Sequence, residues 1–395
     1  MNDFNHPGFF QNPYPTYHQL QQSAEPLWIP HTQRTATAGV WLFSRYEDAL
    51  SILKDNRALS KDTSRVAPKE GGSVLDRHMM NQDPPNHTRL RHLVAERFSP
   101  QKINGLEEEV TTVVRQLLES FSAKREIDFV AEFATALPVI VISRMVGIPA
   151  ADYQKIREWS MSISRSFDSA LAAESDLQQQ RALLTELVDY IGYLIEERRR
   201  NPQPDLITAL IAAQQSDDSL SYEELLAMVM LLLFAGHETT VSLLGSGLFL
   251  LCSHPEQLQL LQHNRQYLPL AIEEMLRYES PIQRTSFRVT ASECNIGGKE
   301  LQQGEQVCAI IGAANRDETV FKDPDSFNIK RSPNHHLAFG FGLHGCLGSS
   351  LARLEARITY THLLERFPQL RLVSTTAEWE HSSLFRRLKT LPITV

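Results

Sequence analysis

The chain has 395 residues, a hydrophobic fraction of 42% and a formal net charge of −8. This mildly acidic balance argues against a nucleic-acid-binding protein. The chain has four cysteines whose spacing shows no pairing pattern: Cys252, Cys294, Cys308 and Cys346. This argues against a disulfide framework and favours a reducing compartment. The first residues have neither a signal-peptide nor a membrane-anchor pattern, so we expect a cytoplasmic protein. Because no linker or repeat interrupts the sequence, we expect one domain over residues 1–395.

The predicted elements change from short strands to helices and back along the chain. Strand-like pieces around residues 39–42 lie in the first part, and residues 86–261 are rich in helical patterns. Residues 281–312 alternate in polarity and contain adjacent glycines, which predicts short strands. A helix is expected over residues 347–364, followed by a last strand near residues 391–393. The predicted fold class is therefore mainly α with small β-sheets.

A first group of basic residues follows the helix-start signal Asp83-Pro84-Pro85. His87 and Arg91 are four residues apart, so they lie on one face of the predicted helix. Such a pair is, by itself, typical of a solvated helix surface.

A long apolar segment from residue 225 to 252 is interrupted by a polar motif. Ser221 and Glu224 form a capping-box pattern before it. A membrane span is the alternative interpretation, but Glu238 would lie in its middle, where an acidic residue costs about 2.5–3.5 kcal/mol. We therefore expect a buried core helix with a polar break. Thr239 could simply bond the carbonyl four residues earlier and bend the helix.

A helix predicted over residues 271–278 contains Glu274 and Arg277, three positions apart. Residues at this spacing share a helix face, so an ion pair is expected. On a protein surface such a pair contributes little to stability.

The segment 339–348 has the sequence Phe-Gly-Phe-Gly-Leu-His-Gly-Cys-Leu-Gly. Its glycines permit a tight loop, and the predicted helix begins just after Cys346. Free N–H groups and the positive end of a helix favour a thiolate over a thiol at that position. A metal ligand is therefore expected, although a lone cysteine is usually a small buried apolar residue.

These segments together resemble the cytochrome P450 superfamily, and in particular its soluble bacterial members. Residues 339–348 match the signature Phe-Gly-x-Gly-x-His/Arg-x-Cys-x-Gly at every position. The resemblance extends from about Tyr14 to the end of the chain. It implies a cytochrome P450 fold in which heme b (iron protoporphyrin IX) lies between the central distal helix and the cysteine loop with its helix. Cys346 would then be the axial thiolate ligand of the iron.

The resemblance also implies which residues bind the cofactor. Phe339 would pack beside the sulfur, and His344 would face a haem propionate. His87, Arg91 and Arg288 match further propionate partners, which charge-assisted hydrogen bonds would hold. The complete expected set is His87, Arg91, Ala235, Arg288, Phe339, His344, Cys346 and Gly348.

The expected catalytic residues lie in the polar motif of residues 235–240, Ala-Gly-His-Glu-Thr-Thr. It matches the oxygen-activation motif of the family, which makes Glu238 and Thr239 an acid–alcohol pair for proton delivery. We expect His237 to be structural. In the family, the pair Glu274 and Arg277 is a buried brace behind the ligand loop, and Arg331 is expected to join it.

The resemblance implies a monooxygenase that inserts one oxygen atom from O2 into a lipophilic small molecule, by hydroxylation or epoxidation. Electrons would come from NAD(P)H through a reductase and a ferredoxin or flavodoxin. Polyketides, terpenoids, steroids and fatty acids all remain open as substrates. A peroxide-driven peroxygenase or isomerase, and a non-catalytic haem-bound carrier-recognition domain, are alternatives. The retained Glu238 and Thr239 favour the monooxygenase.

Two surfaces are expected from family position. The substrate pocket would be mainly apolar, and its expected lining is Leu232, Leu233, Ala235, Ile282, Gln283, Thr285, residues 77–80 and residues 384–385. A basic surface for an acidic redox protein is expected from Arg89, Arg91, Arg97, Arg353 and Arg357.

Overall fold

The computed structural model describes residues 4, 6–23, 25–30, 38–65, 74–166, 174–214 and 220–395. In this part of the chain the α-helices are α1 (Pro7–Gln11), α2 (Tyr14–Gln22), α3 (Tyr46–Lys54), α4 (Asn86–Ala95), α5 (Pro100–Asn104), α6 (Glu107–Glu119), α7 (Ala136–Val146), α8 (Tyr153–Ser166), α9 (Glu174–Arg200), α10 (Leu206–Gln214), α11 (Tyr222–Ala235), α12 (Glu238–Ser253), α13 (Pro255–His263), α14 (Leu268–Tyr278), α15 (Ile311–Ala314) and α16 (Ser349–Arg366). The predicted mainly helical class is confirmed.

The strands form small sheets at the edge of the helical body. They are β1 (Leu27–Pro30), β2 (Gly39–Phe43), β3 (Leu59–Ser60), β4 (Glu126–Asp128), β5 (Arg288–Thr290), β6 (Cys294–Ile296), β7 (Lys299–Leu301), β8 (Gln306–Ala309), β9 (Arg371–Leu372) and β10 (Pro392–Thr394). The described strands pair in the orders β1-β2-β8-β5-β3, β4-β10-β9 and β6-β7. The β3–β5 pair is antiparallel, with Ser60 opposite Val289, and it brings a segment before residue 65 beside Arg288.

The apolar segment of residues 225–252 folds as two helices rather than one. Helix α11 begins with the predicted capping box, in which the Ser221 side chain accepts from the Glu224 N–H and the Glu224 carboxylate accepts from the Ser221 N–H. It ends at Ala235, and α12 begins at Glu238. A Cβ atom on Gly236 would overlap Ile142 of α7, so only glycine allows this close packing.

Helices α11 and α12 lie in the main hydrophobic core, together with α7, α14 and α16. Tyr360 of α16 donates from its hydroxyl to the carbonyls of Leu243 and Leu244, at 3.1 and 3.0 Å. The stretch Tyr222–Ser253 is long and apolar enough to cross a membrane, yet 78% of its apolar window is buried inside the protein. This burial supports the prediction of a core helix with a polar break.

Candidate active site

Cys346 lies in a tight loop immediately before α16. Gly340 and Gly342 adopt φ angles of 67° and 71°, which favour glycine. The Cys346 N–H donates to the Phe339 carbonyl at 2.8 Å and closes the loop. The Cys346 side chain is nevertheless accessible. The sequence thus correctly predicted a cysteine loop at a helix start.

The expected preference for the thiolate is wrong for the protein alone. The protein atoms packed around the sulfur partly desolvate it and raise the pKa of Cys346 above its ordinary value, even though part of the residue is accessible. Hydrogen bonds from the backbone of Gly348 and Ser349, and the charges of Arg91 and Arg353, lower this pKa but do not outweigh burial. Bound metal cations deprotonate a coordinating thiol, so ligation would supply the missing stabilisation.

Phe339 is held from one side by an ion-paired arginine. The Arg353 guanidinium lies 4.4 Å from the centre of the Phe339 ring, and its Nε and Nη2 donate to Glu273 at 2.7 Å each. Burial would raise the pKa of Glu273, but hydrogen bonds from Arg353 and His336 outweigh it and lower the pKa to about 2. The ion pair of Arg353 with Glu273 therefore holds the guanidinium in place against the Phe339 ring.

A partly buried basic cluster contains the four predicted propionate partners. The rings of His87 and His344 lie 4.2 Å apart. Arg288 is 1% exposed, and it donates from Nη1 to the Asp55 carbonyl at 2.8 Å. Burial lowers the pKa of His344 to about 2, and the positive charge of Lys61 is the next largest cause. Burial and Arg91 lower the pKa of His87 to about 4.

Lys61 is a member of this cluster that the sequence reasoning missed. It is buried, and its Nζ donates to the Ser286 hydroxyl. Burial and the charge of Arg288 lower the pKa of Lys61 to about 7. Its position depends on the pairing of β3 with β5, which no local pattern predicts.

The residues of this cluster fit the two propionates of a porphyrin. His87 Nδ1 and Arg288 Nε are buried and have no hydrogen-bond partner among the described residues. The positive charges of Lys61, Arg91 and Arg288 act on His344, and that of Arg91 also acts on His87. The Asp83 carboxylate acts on Lys61, His87 and Arg288. Buried charges need compensation, which a dianionic cofactor supplies. The site thus has the chemistry of a haem-thiolate protein.

The polar break between α11 and α12 exposes two small side chains. Ala235 is exposed and Thr239 is partly exposed. Within the described part of the chain, the Thr239 hydroxyl has no hydrogen bond, so the alternative of a bond to the preceding turn is wrong. Instead, His237 Nδ1 lies 2.7 Å from the Leu233 carbonyl, as expected for a structural histidine.

Glu238 is buried at the first position of α12. Its side chain is 3% exposed, and Arg387 Nη1 donates to its Oε2 at 2.6 Å. His237 Nε2 lies 3.5 Å from Glu238 Oε1. Arg387 comes from the C-terminal region and was not predicted from the sequence, because no local spacing relates it to residue 238.

The predicted brace is present and larger than expected. Glu274 and Arg277 are both fully buried, and Arg277 Nε and Nη2 donate to the carboxylate at 2.8 and 2.9 Å. Arg331 Nε donates to both Glu274 oxygens at 3.1 Å. The N–H of Asn328 and the side chain of Asn334 bind the same carboxylate. The brace therefore ties α14 to the segment that precedes the cysteine loop.

Two residues assigned to the substrate pocket form hydrogen bonds with other parts of the protein. Gln283 is 3% exposed, donates to the Ser280 carbonyl and accepts from the Tyr17 hydroxyl. Thr285 accepts from the Ala309 N–H at 3.1 Å. Both side chains bind polar groups beside the sheet, and their assignment to the pocket stays a prediction.

The predicted basic surface is largely neutralised by carboxylates. Arg89 pairs with Glu224, and Arg357 pairs with Glu107 at 3.0 Å. Arg353 pairs with Glu273 at 2.7 Å. Arg97 is exposed and has no ion pair within the described residues. The docking surface stays a prediction, and Arg97 is its member without an ion pair among the described residues.

Comparisons with known proteins agree with the site chemistry. A sequence model described as Cytochrome P450 matches residues 4–382. Cytochrome P450 107B1 of Saccharopolyspora erythraea is 41% identical over 89% of this chain and 88% of its own. Monooxygenase PikC of Streptomyces venezuelae is 37% identical over 98% of this chain and 91% of its own. The crystal structure of myxobacterial cytochrome P450 CYP267B1 with myristic acid has a TM-score of 0.91 and 33% identity, over 99% of this chain and 98% of that chain.

The chain therefore belongs to the cytochrome P450 family. Its relatives are monooxygenases, and the family binds heme b. The predicted family, fold, enzyme class and cofactor are confirmed.

Proposed function

We propose that Cys346 is the axial ligand of the haem iron and that His87, Arg91, Arg288 and His344 hold its propionates, with Lys61 as a further cation. Ala235, Phe339 and Gly348 would contact the macrocycle. When bound, a haem with a thiolate ligand activates dioxygen for the insertion of one oxygen atom into a substrate. The buried, unpartnered donors of His87 and Arg288 support this assignment.

Glu238 and Thr239 are the proposed proton-transfer pair. A hydroxyl can donate one hydrogen bond and accept others, and Thr239 has no protein partner in the described chain that would occupy it. Glu238 is next to Thr239 in sequence, and its carboxylate is a group that can accept and donate protons. The broken helix leaves Ala235 and Thr239 accessible, and this observation carries the monooxygenase proposal.

The variant Thr239→Ala tests the pair. We expect NAD(P)H consumption to continue, product to fall and hydrogen peroxide to rise, since electrons still arrive while proton delivery fails. Thr239→Ser, which keeps the hydroxyl, is the matched control. Product yield at the wild-type level in Thr239→Ala would contradict the role and favour the peroxide-driven alternative. A non-catalytic carrier-recognition domain would form no product in any variant.

The proposed substrate is a free or carrier-bound lipophilic molecule of bacterial secondary metabolism. Leu232 and Leu233 of α11 and Phe385 are buried apolar residues near the helix break. Solved relatives were crystallised with testosterone and with a fatty acid ligated to acyl carrier protein. Titration of the purified haem protein with testosterone, myristic acid and hexadec-9Z-enoyl carrier protein tests this class. A haem spin-state change identifies the ligands that reach the iron.

The proposed electron donor is a cytoplasmic ferredoxin or flavodoxin with its NAD(P)H reductase. Phe341 of the cysteine loop is 47% exposed, and Lys54 Nζ lies 5.2 Å from the centre of its ring. Lys54 and Phe341 thus give a cationic and aromatic surface for an acidic partner, and Arg97 is a separate exposed cation that could take part.

A further inference from the structure

The C-terminal segment 378–389 is an irregular hairpin that approaches the helix break. The N–H of Glu380 donates to the Arg387 carbonyl and the N–H of Lys389 donates to the Glu378 carbonyl, both at 2.9 Å. Trp379 and Leu388 form an antiparallel bridge between these bonds. Glu380 and Arg387 are therefore held opposite each other by the backbone.

Arg387 joins two carboxylates of different exposure. Its Nη1 donates to Glu238 Oε2 at 2.6 Å, and its Nη2 donates to Glu380 Oε1 at 3.2 Å. The exposed fractions of the side chains are 3% for Glu238, 12% for Arg387 and 31% for Glu380. A continuous series of charged groups thus runs from the buried acid of α12 toward the protein surface.

The same hairpin reaches the apolar region beside the helix break. The Phe385 ring lies 6.2 Å from that of Phe234, and Phe385 forms a bridge with Ile282. A movement of this hairpin would therefore act on both the apolar region and the guanidinium that binds Glu238.

We propose that Arg387 is a positioning residue for Glu238, and that its guanidinium frees the buried carboxylate for proton transfer when it releases Glu238 and stays paired with Glu380. This inference rests on the proposed role of Glu238 and Thr239. A carboxylate bound by a guanidinium at 2.6 Å is restricted in rotation. Glu380 provides a second anion, so the guanidinium stays paired when it leaves Glu238.

The test compares Arg387→Met, Arg387→Lys and the control Lys389→Met, which removes a cation from the same hairpin. Lys389 pairs with Glu378 at 3.7 Å near the surface. A plant-type ferredoxin and its reductase supply electrons from NADPH, without an added substrate. The readouts are the fraction of consumed NADPH recovered as hydrogen peroxide and the solvent deuterium isotope effect on NADPH oxidation.

We expect Arg387→Met to raise the peroxide fraction and to change the isotope effect about twofold or more, because proton delivery becomes disordered. Arg387→Lys should restore part of both values, and Lys389→Met should resemble wild type. In a Glu238→Gln background, Arg387→Met should cause no further change. Thermal unfolding adds a readout that needs no turnover. The melting temperature of Arg387→Met should be lower than that of the double variant Glu238→Gln/Arg387→Met, because only the single variant keeps an uncompensated buried carboxylate.

The inference would be overturned, and the proposed function left intact, by two results together. Arg387→Met would have the peroxide fraction and isotope effect of wild type, and Thr239→Ala would have a raised peroxide fraction. Equal effects of Arg387→Met with and without Glu238 would also overturn it, because Arg387 would then act elsewhere. If Thr239→Ala and Glu238→Gln were both without effect, the proposed proton pair itself would fail.

Discussion

The brace around Glu274 gives a quantitative prediction about stability. In Arg277→Met, the buried pair is broken, which costs about 3–5 kcal/mol in typical proteins. Arg277 also donates to the carbonyls of Asn315 and Pro324 at 3.0 and 2.8 Å. Arg331 still binds Glu274 in this variant and reduces the loss, whereas each unsatisfied buried carbonyl adds about 1–3 kcal/mol. We therefore expect a total loss of about 3–5 kcal/mol.

Arg331→Met is the matched comparison, because the Arg331 side chain binds the same carboxylate but is 11% exposed. Its removal leaves Glu274 paired with Arg277, so we expect a cost of about 1.5–3 kcal/mol. Urea unfolding of the holoenzyme, followed by circular dichroism and haem absorbance, measures both losses. Equal losses in the two variants, or a loss below about 1 kcal/mol in Arg277→Met, would refute the reasoning.

Two further predictions concern a buried acid and the surface. Glu355 is fully buried, and both of its carboxylate oxygens lack a partner in the described chain; burial raises its pKa well above 4.5. The folded state therefore keeps a proton that the unfolded state loses, so stability falls as pH rises above about 4.5. Glu355→Gln should weaken this decline, and the variant should be more stable than wild type at about pH 8. Urea unfolding midpoints at about pH 5 and about pH 8 measure the effect. An identical pH dependence of stability in the two proteins would contradict the prediction. Arg97→Glu should slow reduction by ferredoxin at low salt but much less at high salt, because screening removes the lost attraction. Stopped-flow reduction measures this, and an unchanged rate at both salt concentrations would exclude Arg97 from the docking surface.

Local sequence signals predicted the parts of the site that one segment determines. The glycines around Cys346, the capping box at Ser221 and the three-residue spacing of Glu274 and Arg277 each define a local geometry. The structure contains all three. These features depend on backbone conformation or on neighbouring helix positions, so they can be read without knowledge of the fold.

Contacts between distant segments could not be predicted in the same way. Lys61 reaches Arg288 through the β3–β5 pairing, and Arg387 reaches Glu238 through a hairpin 149 residues away in sequence. Arg89 is neutralised by Glu224, which also caps α11. Such pairs depend on tertiary packing, because the charge of a side chain does not indicate which distant partner it will meet.

The ligation of haem iron by Cys346 is the central claim, and the carbon monoxide spectrum of the reduced protein tests it most directly. Wild type should show the red-shifted absorption band that thiolate ligation produces. Cys346→Ser should lose this band even where it retains haem, since a hydroxyl is not a thiolate ligand. A thiolate-type band that persists in Cys346→Ser would contradict the assignment.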